Sequence, residues 1–190
     1  MVHILNEKKA YTYEDYLKTN DDEKLEVLEG NLEMVPAPST DHQDVQSYLG
    51  RLILNYVIER KMGKIYLSPT DIILDLNNIV QPDILFISNE KKHLIQKKGI
   101  FGSPDLIIEI ISPSSKYRDT YTKKALYEKF RIQEYWLVDP YMKGIEILRL
   151  NSEQIYELYS SGYLEDEEQK ALVRSSVLNT LEIDLKDIFT

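Results

Sequence analysis

The apolar positions of this chain fall into runs whose period changes along the sequence. Thr12-Tyr-Glu-Asp15 has the form of a helix start, with a capping hydroxyl and acids in the first turn. From Lys24 to Val35 apolar and polar residues alternate on either side of Gly30-Asn31, which predicts a pair of strands joined by a turn. Pro36 and Pro38 close that pair. Ser39 or Thr40 then caps the most strongly periodic helix of the chain, expected to run to about Met62. Val45, Tyr48, Leu49, Leu52, Ile53, Tyr56 and Val57 lie on one stripe of period 3.6, and Gly63 is placed to end the helix.

Beyond Gly63 strand-like runs dominate: Lys64–Ser68, Asp71–Leu76, Ile79–Ile87 and Asp105–Ile111, separated by turns rich in Pro, Asn and Lys. A second helix is expected over Asp119 to Arg131, then a strand at Glu134–Val138 before Asp139-Pro140. Ile145–Leu150 and Ile155–Tyr159 predict a peripheral hairpin, and the acidic stretch Glu165 to Glu168 a solvated loop. Neither a repeat nor a compositional break divides the chain. The expectation is one α/β domain over residues 1–190, with a central mixed β-sheet flanked by helices and a peripheral C-terminal hairpin.

Composition narrows the chemistry. The 190 residues are long enough for a sizeable core, and 43% hydrophobic with 29% charged residues is a globular composition. With no cysteine there is no disulfide framework, thiolate metal site or cysteine nucleophile. Three histidines do not make a histidine-rich metal site. The net charge of −9 excludes a protein that coats nucleic acid through its overall field. The N-terminus lacks a signal-peptide h-region, and no apolar run reaches the roughly 18–20 residues needed to cross a bilayer. A cytoplasmic protein with no membrane partner is expected.

The sharpest local anomaly is Asp-Leu-Ile-Ile-Glu-Ile-Ile at residues 105–111, a buried-strand run broken by Glu109. A buried carboxylate must be protonated, paired or bound to a cation. One open strand face, or a pairing Arg or Lys, accounts for it as well as a metal does. Asp83 stands in similar company, at the head of Ile84-Leu-Phe-Ile87 and just after Pro82, where a capping role is the plain alternative. Residues on neighbouring strands come within roughly 5 Å, so Asp83 and Glu109 are placed to share one ion. Two hard oxygen ligands completed by water suit Mg²⁺ or Mn²⁺. Asp105 lies roughly 13 Å along the strand from Glu109, too far to bridge the same ion. On the following helix Asp119, Lys123 and Tyr127 share one face at i, i+4 and i+8, either as a surface ion pair beside a packed tyrosine or as the cationic partner of the strand end. Lys116, Arg118, Lys124, Lys129 and Arg131 make this neighbourhood locally basic.

Together these residues resemble a known family. Gln-Pro-Asp83, then Gly-Ser-Pro-Asp-Leu-Ile-Ile-Glu109-Ile-Ile-Ser-Pro-Ser, then Arg-Asp119 with Lys123 and Tyr127, then Glu-Tyr-Trp-Leu-Val-Asp-Pro140, are similar to the Uma-type restriction endonucleases of the PD-(D/E)XK nuclease superfamily. The resemblance runs from Leu-Glu-Gly30 and His42 to Leu-Lys-Asp-Ile-Phe189. It implies a restriction-endonuclease-like core and metal-dependent hydrolysis of DNA, with Asp83 and Glu109 as the acidic pair and, by analogy, the Ile110 carbonyl as a further metal ligand. The superfamily lysine normally stands two residues after the acid, where this chain has Ile111; Lys123 is the expected replacement, oriented by Asp119 and Tyr127. Glu29 matches an N-terminal acid that supplies an outer metal contact, and His42 a family histidine. A homodimer is implied by the same analogy. The rival expectations are a nuclease-fold module that binds nucleic acid or protein without cutting, and a structural or dimerisation module using the 14 tyrosines.

Overall fold

A computed structural model describes residues 10–19, 24–165 and 171–189. Helix α1 (Tyr13–Tyr16) begins at Thr12, whose side chain and that of Asp15 form the reciprocal capping box expected from sequence. Strands β1 (Leu25–Leu28) and β2 (Asn31–Met34) form the antiparallel hairpin. Its two-residue turn is Glu29-Gly30, one residue earlier than expected, with φ of 50° and 77°. Such turns need positive φ at both central positions. Gly30 has a second constraint, since a Cβ there would lie 2.6 Å from that of Ala10.

Helix α2 (Thr40–Glu59) is capped by the Ser39 side chain. It stops earlier than Met62 because Lys61, not Gly63, adopts the left-handed conformation after it. Gly63 instead opens β3 (Gly63–Leu67), where a Cβ would collide with the Ile87 carbonyl of the neighbouring strand. β4 (Ile72–Asp75) comes after it. The run Ile79–Ile87 is two strands rather than one: β5 (Asn78–Val80) and β6 (Ile84–Ser88) lie in different sheets. Pro82 lacks the N–H a ladder needs, and the Gln81 N–H turns away to the Glu26 carboxylate. This break leaves Asp83 at the mouth of β6.

β7 (Ile95–Gln96), β8 (Gly99–Phe101) and β9 (Leu106–Ile110) come next. The helix expected over 119–131 starts as a π-helical turn, Arg118–Lys123, and continues as α3 (Lys124–Lys129). β10 (Glu134–Asp139), β11 (Gly144–Leu150) and β12 (Tyr156–Tyr163) complete a six-stranded mixed sheet in the order β12-β11-β10-β9-β6-β3. Only β9 and β10 run parallel in it. The β11–β12 hairpin is peripheral, forming the sheet's outer two strands. A second six-stranded sheet has the order β2-β1-β5-β4-β8-β7, and β13 (Leu172–Arg174) pairs with β14 (Glu182–Asp184). Of the acidic stretch, the residues after Glu165 lie outside the described residues.

The central sheet is covered on both faces, which is why its strands read as continuous apolar runs. One face packs Ile84, Phe86, Leu106 and Ile108 against Val45, Leu49, Ile53 and Val57 of α2. The other packs Leu85, Ile87 and Ile107 against Leu126 and Tyr127 of α3 and against Ile72 and Val80 of the second sheet. Among the described residues no helix is long and apolar enough to cross a membrane.

Candidate active site

The site forms where β6 and β9 meet beneath the π-helical turn. Ile84 pairs with Ile108 in the antiparallel register, so one step further Asp83 stands opposite Glu109 on the same sheet face. That face carries Leu85 and Ile107 into the layer of α3 and the second sheet, and both carboxylates are buried there. They line a cavity of about 680 Å³, together with Lys24, His42, Gln81, Ile110, Arg118, Asp119 and Lys123.

Asp83 is held in place from two sides. Its Oδ2 accepts the Ile110 N–H at 2.8 Å and faces His42 Nε2 at 3.1 Å. Lys24 Nζ lies 4.0 Å from Oδ1. Burial works against its charge, but His42, Lys24 and the Ile110 N–H outweigh burial and hold the carboxyl below its usual range. The backbone carbonyl of Asp83 accepts from Gln46 Nε2 and from the Ser68 N–H, which fixes the strand entrance.

Glu109 Oε1 accepts Lys123 Nζ at 2.9 Å and Tyr127 OH at 2.7 Å. Burial pushes this carboxyl up to about 8; Lys123 pulls it down, while Asp119, Asp83 and Glu26 push it further up. Lys123 is only 1% exposed, yet its charge is retained. Burial disfavours that charge, but Glu109, Glu26 and Asp119 overcome it and raise its pKa. The π-helical turn brings Asp119 Oδ1 to 3.9 Å from Lys123 Nζ, and burial holds the Asp119 carboxyl above its ordinary range. π-Helical turns of this kind are frequent at functional sites.

The structure thus brings together Asp83, Glu109, Lys123, Asp119, Tyr127 and His42. Glu29 is not among them. It occupies the exposed β1–β2 turn, and its backbone N–H donates to Asn78 Oδ1. The N-terminal acid at the cluster is Glu26, three residues earlier, whose Oε1 accepts Lys123 Nζ at 2.8 Å and the Gln81 N–H. Burial opposes its ionisation, but Lys123, the Gln81 N–H and Arg118 hold its pKa low. Sequence carried a signal for Glu26: it interrupts Leu25-Glu-Val-Leu28 as Glu109 interrupts its own strand. Ile110 reaches the acidic pair with its backbone N–H, which donates to Asp83 Oδ2. Lys24, Gln81 and Arg118 are further residues that sequence reading did not place at the cavity.

Metal fit can be judged from the oxygens that remain. Asp83 Oδ1 and Glu109 Oε2 take no hydrogen bond from a described residue, and Glu26 Oε2 and Asp119 Oδ1 are buried without one. Among the described residues no group of three or more carboxylates or imidazoles forms a metal cage. Two carboxylates on neighbouring strands, each with an oxygen left unbonded by the described residues, are the kind of donor set a hard divalent ion such as Mg²⁺ or Mn²⁺ takes with water in its other positions.

Comparisons with known proteins agree with this architecture. A family model, Uma2, described as "Putative restriction endonuclease", matches residues 10–186. An uncharacterized protein of Synechocystis sp., sll1609, is 26% identical over 142 residues, covering 73% of this chain and 80% of its own length. A crystal structure of an Anabaena variabilis protein, titled a putative nuclease belonging to DUF820, superposes with a TM-score of 0.74. It is 23% identical, and the match covers 94% of this chain and 97% of that one, which shows a shared fold. With the family model spanning nearly all of its described length, the chain belongs to the Uma2 family of putative restriction endonucleases.

Proposed function

We propose that this protein is a metal-dependent endonuclease that hydrolyses phosphodiester bonds of DNA. The observation that carries this reading is the pairing of Asp83 and Glu109 across β6 and β9, each with an unbonded oxygen, in a cavity also lined by Lys24, Arg118 and Lys123. A bound Mg²⁺ or Mn²⁺ ion supplies Lewis-acid polarisation of the phosphate and a more acidic water. The chain's own groups do the rest. His42 and the Ile110 N–H hold Asp83 in one orientation, and Tyr127 does the same for Glu109. Lys123, fixed by Glu26, Glu109 and Asp119, places a permanent positive charge beside the acidic pair to stabilise charge on phosphoryl oxygens or to hold the attacking water. Lys24 and Arg118 on the cavity wall offset the charge of an entering phosphate. The test is nicking of supercoiled plasmid with Mg²⁺ and with excess chelator. Cleavage only with Mg²⁺ is expected; equal cleavage in chelator overturns the reading.

A second reading rests on a specific observation. Lys123 Nζ is already bonded to two carboxylates and almost fully buried, while Ile111 occupies the superfamily's usual lysine position. In that reading the lysine is a structural counter-ion, and the protein binds nucleic acid or a protein partner without cutting. Metal-dependent DNA binding with no nicking in any divalent ion supports it.

A further inference from the structure

A second cavity, of about 470 Å³, adjoins the first: Pro69 and Gln81 line both. Its wall is hydroxyl-rich, with Tyr16, Thr19, Tyr66 and Thr70, and Lys97 and Lys98 stand at its side on the β7–β8 turn. Among the described residues Asp71 is the one acid that lines it. That carboxylate is already engaged, since its Oδ1 accepts Tyr16 OH at 2.9 Å and Gln81 Nε2 at 2.7 Å. The two lysines are exposed, and neither forms an ion pair with a described residue. Two ammonium groups beside a cavity, with no acidic partner among the described residues, mark a place for an anion.

The backbone of their turn is held in position. Gly99 ends their turn with φ of 150°, and a Cβ there would lie 2.7 Å from the Asp71 carbonyl. The Ile100 N–H donates to that same carbonyl at 2.8 Å. The turn is thereby pinned to β4, next to Asp71 in the cavity wall. Gln81 ties the two cavities together. Its backbone N–H bonds Glu26, the carboxylate that pairs with Lys123 of the first cavity, and its amide nitrogen bonds Asp71 and Tyr16 in the second. Because Asp71 Oδ1 requires donors, the amide nitrogen must face it, and Gln81 Oε1 is left buried with no hydrogen-bond partner.

We infer that the second cavity is a flanking-nucleotide subsite, in which a single strand running out of the Asp83–Glu109 cavity over Pro69 sets a phosphate on Lys97 and Lys98 and a base against Tyr66. This deepens the nuclease reading and rests on it. The volume is that of a small-ligand pocket and gives room for one unpaired nucleotide. Aromatic rings beside a cationic track are the chemistry by which single strands are held without sequence preference.

The experiment measures binding of a fluorescein-labelled twelve-nucleotide single-stranded DNA by anisotropy, in Ca²⁺, across a KCl series. It compares the wild type with a K97E/K98E double variant, Tyr66→Ala and Tyr66→Phe. Each contacted phosphate contributes about 0.7 to the salt slope for a single strand. The double variant is expected to bind at least about tenfold more weakly, with a salt slope smaller by about 0.7 for the one lost phosphate contact. Tyr66→Ala is expected to weaken binding and Tyr66→Phe to restore it, because stacking needs the ring and not the hydroxyl. Unchanged affinity and slope in the double variant, with normal wild-type binding, overturns the subsite and leaves the nuclease reading standing. No wild-type binding to any single strand or duplex overturns both.

Discussion

Glu26 Oε1 lies 2.8 Å from Lys123 Nζ, the shortest of the three carboxylate contacts to that buried ammonium. The two residues come from β1 and the π-helical turn, 97 positions apart in sequence, so this contact ties the second sheet to the central one at the site. Breaking a buried pair by removing one partner costs about 3–5 kcal/mol, because the other charge stays buried. Glu26→Ala is therefore expected to lower unfolding stability by about that amount in urea denaturation. A loss below about 1 kcal/mol, the value of an exposed pair, contradicts the burial described.

Tyr127→Phe removes the hydroxyl that donates to Glu109 Oε1 at 2.7 Å and nothing else from the fully buried ring. With its pKa pushed up to about 8, Glu109 is protonated at neutral pH in the metal-free protein, and a hydrogen bond between neutral groups is worth about 0.5–1.5 kcal/mol, so a stability loss in that range is expected there. Because the lost donor favours the ionised carboxylate, the Glu109 pKa is expected to rise further, as followed by carboxyl NMR shifts. An unchanged pKa shows that the tyrosine does not orient the acid.

The raised pKa of Glu109 makes stability of the metal-free protein depend on pH. Folded, the group titrates at about 8; unfolded, near 4.5. Between those values the folded state holds a proton that the unfolded state has lost, so stability is fullest below the lower value and declines as pH rises through the upper one. Glu109→Gln carries no titrating group and is expected to flatten that part of the profile. Thermal melting in chelator across pH 5–9 reads the difference, and parallel profiles for the two proteins contradict it.

His42 touches the acidic pair only through Asp83, at 3.1 Å. Removing such an outer partner typically lowers metal affinity about 10–100-fold. Calorimetric titration of Mn²⁺ is expected to show that loss for His42→Ala and no measurable binding for Asp83→Ala. Equal affinity in the wild type and Asp83→Ala places the ion elsewhere.

Much of this arrangement was legible in the chain because burial leaves a mark on sequence. A carboxylate inside an apolar run, as at Glu109, has few inexpensive explanations, and adjacency of the two strands makes Asp83 its candidate partner beside the plainer reading of a cap after Pro82. The same logic applied to Leu25-Glu-Val-Leu28 identifies Glu26, whereas the family resemblance through Leu28-Glu-Gly30 points to the exposed Glu29 instead. The split of Ile79–Ile87 between two sheets was less visible, because both halves are apolar and only Pro82 marks the break. Periodicity also could not distinguish an α-helical from a π-helical turn at Arg118–Lys123, since the two differ by about one residue in hydrogen-bond spacing. The second cavity depends on Pro69, Gln81 and the β7–β8 turn converging in space, which no local pattern records.

The most direct test of the paired-carboxylate account is nicking of supercoiled DNA with Mg²⁺ or Mn²⁺ by the wild type, Asp83→Ala, Glu109→Ala and Lys123→Ala, each checked for folding by circular dichroism. The wild type is expected to cut, and each folded variant to lose at least about a hundredfold in rate. Cutting that persists at the wild-type rate in folded Asp83→Ala and Glu109→Ala would contradict the account.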